Sequence, residues 1–229
     1  MAGFLVLTIS IYGCGNVKQG KCSPPCPTDN LVSVRSRSTT GSDAIEVCAS
    51  SNDPVLSYDA TPYSARYYDP EVIPIDRGAI TDFHPGKKPL ILLNCSQNSL
   101  QYLGEYTHKW YGNPRQWTMT ILHSLEREWV SRQGKLGGNG EGERLLSLRV
   151  TGTHVSWQSD AIECRVSVAV RNGNGDNVIF TAVTRDTDLY GSCDMAISTL
   201  VTTILNADEI RDYLLDSGKK QISGSSNGK

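Results

Sequence analysis

Seven cysteines and four histidines carry most of the reactive side-chain chemistry in this 229-residue chain. Cys22 and Cys26 flank Ser-Pro-Pro, a three-residue gap rather than the two-residue spacing of a dithiol redox motif. The pair could hold half of a zinc site, but no second close Cys or His pair supplies the other ligands. A local disulfide or two free thiols is the expectation there. Ser192-Cys193-Asp194 puts a thiol at an expected helix start, where the dipole lowers a thiol pKa. A nucleophile there needs a base, and the sequence indicates none. No two of His84, His108, His123 and His154 lie within four residues of each other. The reading therefore assigns no catalytic, cofactor-binding or metal-binding residue, and no cofactor.

Cys14 stands apart. It follows an apolar run from Ala2 to Gly13 and precedes the polar Gly-Asn-Val-Lys-Gln-Gly. The run suits the hydrophobic region of an export signal and is too short to span a bilayer, which takes about 20 residues. Ile11-Tyr12-Gly13-Cys14 is similar to a bacterial lipobox, with an aliphatic residue three positions before the cysteine and a small one just before it. Two features depart from that pattern: no Lys or Arg lies between Met1 and Cys14, and Tyr12 is bulky. A short buried strand is the alternative, and the polar sequence after Cys14 argues against it. The expectation is cleavage before Cys14 and lipid attachment to its sulfur, each buried methylene contributing about 0.8 kcal/mol to anchoring. Gly15, where inner-membrane lipoproteins commonly carry Asp, points to the outer membrane with the domain facing the periplasm.

Setting Cys14 aside leaves Cys22, Cys26, Cys48, Cys95, Cys164 and Cys193, an even number suited to disulfides in an exported chain. Residues 14–43 read as a lipidated N-terminus and flexible tether, rich in Ser, Thr, Pro and Gly, with Leu31, Val32 and Val34 as their apolar group. The net charge is −2, and the tether's Arg35 and Arg37 are too few to make a nucleic-acid site. Residues 44–87 read as an irregular segment wrapping over a core. Its Tyr58, Tyr63, Tyr67 and Tyr68 either form a binding surface or bury their rings. Residues 217–229 read as a polar, disordered tail.

Regular structure is expected over 88–216. "PLILLN" (89–94) is an apolar strand, and 113–134 reads as a helix. Asn113 caps that helix, Pro114 opens it, Gln116 has capping-box spacing and Gly134 follows its end. Trp117, Ile121, Leu122, Leu125 and Trp129 share one helix face, with Arg115, Glu126, Arg127 and His123 away from it. "RLLSLRVTGTHVSW" alternates through Leu146, Leu148 and Val150, with a bend or bulge at Gly152. In 161–171, Ile162, Cys164, Val166, Val168 and Val170 point one way, and Glu163, Arg165, Ser167 and Arg171 the other. "NGNGDN" (172–177) turns the chain back into "VIFTAVT". A helix opened by Ser192 and Asp194 follows, then a short one through Leu215. The class is α+β, an antiparallel-rich sheet with two main helices on one face, in the order β-α-β-β-β-α.

The hairpin brings Thr184 opposite Cys164, and the next helix must cross the same apolar face. That topology puts Cys193 within disulfide reach of Cys164; two buried free thiols are the alternative. Asn94-Cys95-Ser96 forms a sequon, relevant only to a eukaryotic secreted chain.

The strand "KPLILLN", the helix "ILHSLEREWVSRQG", the hairpin "IECRVSVAVRNGNGDNVIFTAVT" and the ending "STLVTTILNADEIRDYLL" are similar to the YajG-type family of bacterial lipoproteins. Other outer-membrane lipoproteins have comparable helix-on-sheet domains. The resemblance covers about residues 88–216 together with Cys14, and does not extend to 44–86, 100–111 or the other cysteines. It implies a non-enzymatic envelope lipoprotein that is held to the membrane by its lipid and binds another envelope component. An exported hydrolase or wall-remodelling enzyme is the competing class.

Overall fold

A computed structural model describes residues 65–71, 73–105, 108–137 and 142–215, and the backbone of 10–11, 31–34 and 45–50. Three strands come from the N-terminal region: β1 (Ser10–Ile11), β2 (Leu31–Val34) and β3 (Ile45–Ser50). Then come β4 (Ala65–Tyr67), β5 (Leu90–Asn94), β6 (Gln101–Glu105), β7 (Lys109–Gly112) and α1 (Pro114–Ser131). The chain continues through β8 (Arg144–Trp157), β9 (Ile162–Asn172), β10 (Asn177–Asp186), α2 (Leu189–Asn206) and α3 (Asp208–Leu214). This is an α+β fold; the expected run of β5, α1, β8, β9, β10 and α2 is present, with the unforeseen strands β6 and β7 between β5 and α1.

The main sheet runs β1-β10-β9-β8-β5-β3-β2, and β4-β7-β6 form a second, smaller sheet. β8, β9 and β10 pair antiparallel, whereas β5 lies parallel to β8 and β3 parallel to β5. The parallel β5–β8 pair follows from the crossover between them, which carries α1, since parallel neighbours need such a connection. Two pairings fall in regions read as leader and tether. Ser10 and Ile11 pair with Ile179 and Val178, and Leu31–Val34 pairs with β3.

Asn113 caps α1, its side chain accepting from Arg115 N at 3.0 Å, and Pro114 takes the first helical position. Asn113 also donates to Asn98 Oδ1, at 2.8 Å. Asn113→Ala should therefore cost about 1–2 kcal/mol, read as a lower midpoint in a urea titration. Exposed Gln116, changed to Ala, should stay within about 0.5 kcal/mol.

Trp117, Ile121, Leu122, Leu125 and Trp129 are buried as their spacing requires. With Leu92, Leu148, Val166, Val168, Phe180, Ile197 and Val201 they form one core between sheet and helices. His123 is exposed. Glu126 corrects its expected exposure: its side chain is only 14% accessible, beside His123. Arg127 also has a partner, donating to Ile73 O at 2.7 Å. A second layer of chain covers this side of α1, which helical periodicity does not report.

The bulge in β8 falls between Val150 and Gly152, as the glycine led us to expect. The Val150 N–H is met by Ser96 Oγ at 2.9 Å and Thr118 Oγ1 at 3.2 Å. Those hydroxyls bond each other at 2.6 Å. The Val150 N–H lies on the edge of β8 where the Leu148 carbonyl meets Cys95 N, and β5 ends before reaching it, so the buried Ser96 and Thr118 hydroxyls take the strand's place. An unmet backbone donor inside the core costs about 1–3 kcal/mol.

α2 begins at Leu189, capped by Asp188, which accepts from Gly191 N at 2.7 Å. This corrects the expected opening at Ser192 and Asp194. Those residues and Cys193 lie one turn inside the helix, because the aspartate at 188 satisfies the first free amide and buried Leu189 joins the core.

Candidate functional site

Cys164 and Cys193 form a disulfide, with Cα atoms 5.1 Å apart, and Thr184 lies opposite Cys164 as the hairpin required. Both cysteines are fully buried. Bonded sulfur offers no thiolate, so the nucleophile considered at Cys193 does not exist in this state. Cys95 is disulfide-bonded as well. Cys14, Cys22 and Cys26 lie outside the described residues. The register of β3 on β5 reaches Val47 against Asn94, which makes Cys48 the partner of Cys95 to test. Non-reducing peptide mapping should recover a peptide pair joining Cys48 to Cys95; a link from Cys95 to Cys14 would rule out a lipid there.

The histidines lie apart, on the loop after the 3-10 turn (His84), before β7 (His108), on α1 (His123) and on β8 (His154). Among the described residues no group of three His, Cys, Asp or Glu side chains is placed to share a metal ion. Asn94 of the sequon is fully buried and donates to Arg115 O at 2.9 Å, so the folded chain offers it to no glycosylating enzyme. Among the described residues no helix is long and apolar enough to cross a membrane.

The segment 68–84, expected to wrap over the core, is a strap whose carbonyls are held by side chains of the helices. Trp117 Nε1 donates to Tyr68 O at 3.3 Å, and Thr120 Oγ1 to Pro70 O at 2.6 Å. Further along, Asn206 brackets the strap, donating to Ala79 O and accepting from Thr81 N, both at 2.8 Å. Arg211 donates to Thr81 O at 3.1 Å and to Asp82 O at 2.9 Å. Phe83 then buries its ring under the guanidinium groups of Arg132 and Arg211, at 4.9 and 5.5 Å.

Beneath the strap lies a buried carboxylate, Glu128. Arg132 meets it at 2.8 Å and Arg77, from the 3-10 turn Arg77–Ala79, at 3.1 Å. Burial pushes the Glu128 pKa up, but the hydrogen bonds from Arg132 and Arg77 outweigh it and hold the carboxyl below its ordinary range. Both carboxylate oxygens are engaged, so the cluster clamps the strap to α1.

Tyr68 and Asp194 form a second lock. The Tyr68 hydroxyl donates to Asp194 Oδ1 at 2.5 Å, with Trp117 edge-on at 5.5 Å and Tyr190 edge-on at 5.1 Å. Burial, then the hydrogen bond and charge of Asp194, keep the phenol protonated well above its usual range. Neighbouring Asp69 is raised by burial, against the hydrogen bonds from the Asn113 amide and Trp117.

The sequence's tyrosines divide. Tyr58 and Tyr63 lie outside the described residues, and Tyr68 is core. Tyr67 belongs to a row across the small sheet. It pairs with Tyr111 of β7, and Tyr111 pairs with Tyr102 of β6. The ring centroids are 6.3 and 5.8 Å apart, and Tyr102 is 50% exposed. The opposite side of this sheet is anchored by buried Leu103 and by two glycines. A Cβ on Gly112 would lie 2.7 Å from Trp117 Nε1, and one on Gly104 would run into Val155 O. Only glycine lets β6 and β7 approach the core this closely. The result is an aromatic row on the small sheet, most open at Tyr102, with the Tyr67 hydroxyl turned inward and buried. Residues 100–111, an insertion outside the resemblance, supply β6 and most of β7, which sequence periodicity does not foretell. The signal available was the aromatic content of "QYLGE" and "KWYG"; neither run alternates, and β6 is bulged between Tyr102 and Gly104.

Comparison with known proteins found no matching family model, no similar curated protein and no similar solved structure.

Proposed function

We propose that the chain is a non-enzymatic lipoprotein of the bacterial cell envelope, of the YajG type, anchored through Cys14 in the outer membrane. Its folded domain faces the periplasm and binds another envelope component. The observation that carries the binding role is the row Tyr67–Tyr111–Tyr102, aromatic, partly exposed and fixed by a sheet that glycines seat on the core. Tyrosine is enriched at interfaces because it supplies large contact area with few rotatable bonds. The anchor rests on Ile11-Tyr12-Gly13-Cys14 and the polar sequence that follows it.

Mass spectrometry of the mature N-terminus, taken from intact cells, tests the anchor. The expected species begins at Cys14 and carries diacylglycerol. An intact Met1, or cleavage elsewhere, overturns it. Cleavage before Cys14 also removes β1, so the β10 edge at Val178 and Ile179 loses its partner strand. For the tyrosine row, Tyr102→Ser should cost about 1 kcal/mol or less while weakening in-cell photocrosslinking from a probe at residue 101. Unchanged crosslinking would move the binding surface elsewhere.

A further inference from the structure

The main sheet has a second face, away from α1 and α2, and its charge is one-sided. Strand alternation turns Arg149 and His154 of β8 outward, with Glu163, Arg165, Ser167, Ala169 and Arg171 of β9. β10 adds Ile179, Thr181, Val183 and Arg185. The registers gather these into one patch, Arg165 between His154 and Val183, and Ala169 between Arg149 and Ile179. Arg149, Arg165 and Arg185 thus stand with Glu163 as the one carboxylate among the outward strand positions, in a chain whose net charge is −2. Glu163 is shared by Arg165 at 3.6 Å and Arg185 at 2.8 Å, and the side chains of those arginines are 55% and 59% exposed. Asp160 and Asp176 flank the patch in the two hairpin turns, and further acids, Asp188, Asp194, Asp208, Glu209 and Asp212, lie on or next to α2 and α3.

We propose that this outward face of β8–β9–β10 docks on an anionic lipid surface, with Arg149, Arg165 and Arg185 meeting headgroup phosphates. The inference deepens the envelope reading and rests on it, since a tether from Cys14 keeps the domain at high local concentration beside the bilayer. Charge complementarity selects the partner: guanidinium forks match phosphate oxygens, and clustered arginines are drawn to anionic leaflets. The outward positions of these three strands carry no Phe, Tyr or Trp. The face therefore lacks the stacking platform with which single-stranded nucleic acid is held.

The test uses the full chain carrying Cys14→Ser, so that no acyl chain contributes. It is co-sedimented with phosphatidylcholine vesicles and with vesicles about one-quarter phosphatidylglycerol. Binding to the anionic vesicles alone is expected, falling away as NaCl rises from about 0.05 to about 0.5 M, as screening requires. Arg149→Gln with Arg165→Gln should lower the partition about 30-fold, a factor of about five for each charge removed. Glu163→Gln, which releases Arg165 and Arg185 from their shared carboxylate, should raise it. This opposite-signed variant keeps the test decisive if the double variant misfolds. Equal binding to both vesicle types, or no response to either variant, overturns the proposal. So does preference for a single-stranded oligonucleotide over vesicles, or salt-reversible self-association in sedimentation velocity without vesicle binding. The N-terminal mass spectrum fails or succeeds separately: acylated Cys14 with no charge-dependent docking removes this inference alone.

Discussion

Replacing Glu128 with alanine is expected to cost about 3–5 kcal/mol, the usual penalty for removing one partner of a buried ion pair. The lower end applies, because the Arg77 and Arg127 side chains are 60% and 40% exposed and rehydrate when released. Arg132, only 16% exposed, supplies most of the penalty. Urea titration at pH 7 measures it. Glu128→Gln keeps the shape and removes the charge, which isolates the pH dependence. The folded-state pKa is depressed, so the stabilisation is complete above the ordinary glutamate value, about 4.3. It is lost as pH falls from there through the lower folded value. The gap between wild type and Glu128→Gln should therefore hold from pH 7 to about 5 and close under more acid conditions. A gap independent of pH would show that Glu128 holds the strap by packing alone.

Changing Cys164 and Cys193 together to alanine should lower stability by about 3–4 kcal/mol, from the entropy regained by an unfolded loop of this length. The sequence separation of the bridge is 29 residues. Coincident fluorescence and circular-dichroism transitions in urea would give the number, and a loss under about 1 kcal/mol would mean that the bridge adds nothing to the packing of β9 against α2. Both sulfurs belong to fully buried residues, so reductant should cleave the bridge in wild type only as the fold opens. Alkylation of Cys164 and Cys193 after dithiothreitol, followed peptide by peptide, should accordingly track global unfolding, and rapid labelling of these two in native buffer would contradict that.

What could be read from sequence and what could not divide by the range of the interactions. The α1 cap at Asn113-Pro114, the apolar face through Trp129, the β8 bulge at Gly152 and the alternation in β9 are each fixed within a few residues. Local sterics and burial period therefore announce them. The bridge followed because a tight turn sets the hairpin register, and register carried Cys164 to the strand end from which α2 departs.

Tertiary structure alone decided how the strap is held, the Glu128 clamp and the tyrosine row. The strap is held by side chains donating to carbonyls up to 130 positions away, and no periodicity marks a backbone acceptor. Glu128 reads as one more helix charge until Arg77 arrives from 51 positions earlier. β4 has three residues, too few to display a period of two, and takes its place only once β7 lies beside it. The sign of each side chain on β9 was plain from alternation. That its outward arginines join Arg149 and Arg185 in one patch depended on how three strands came into register.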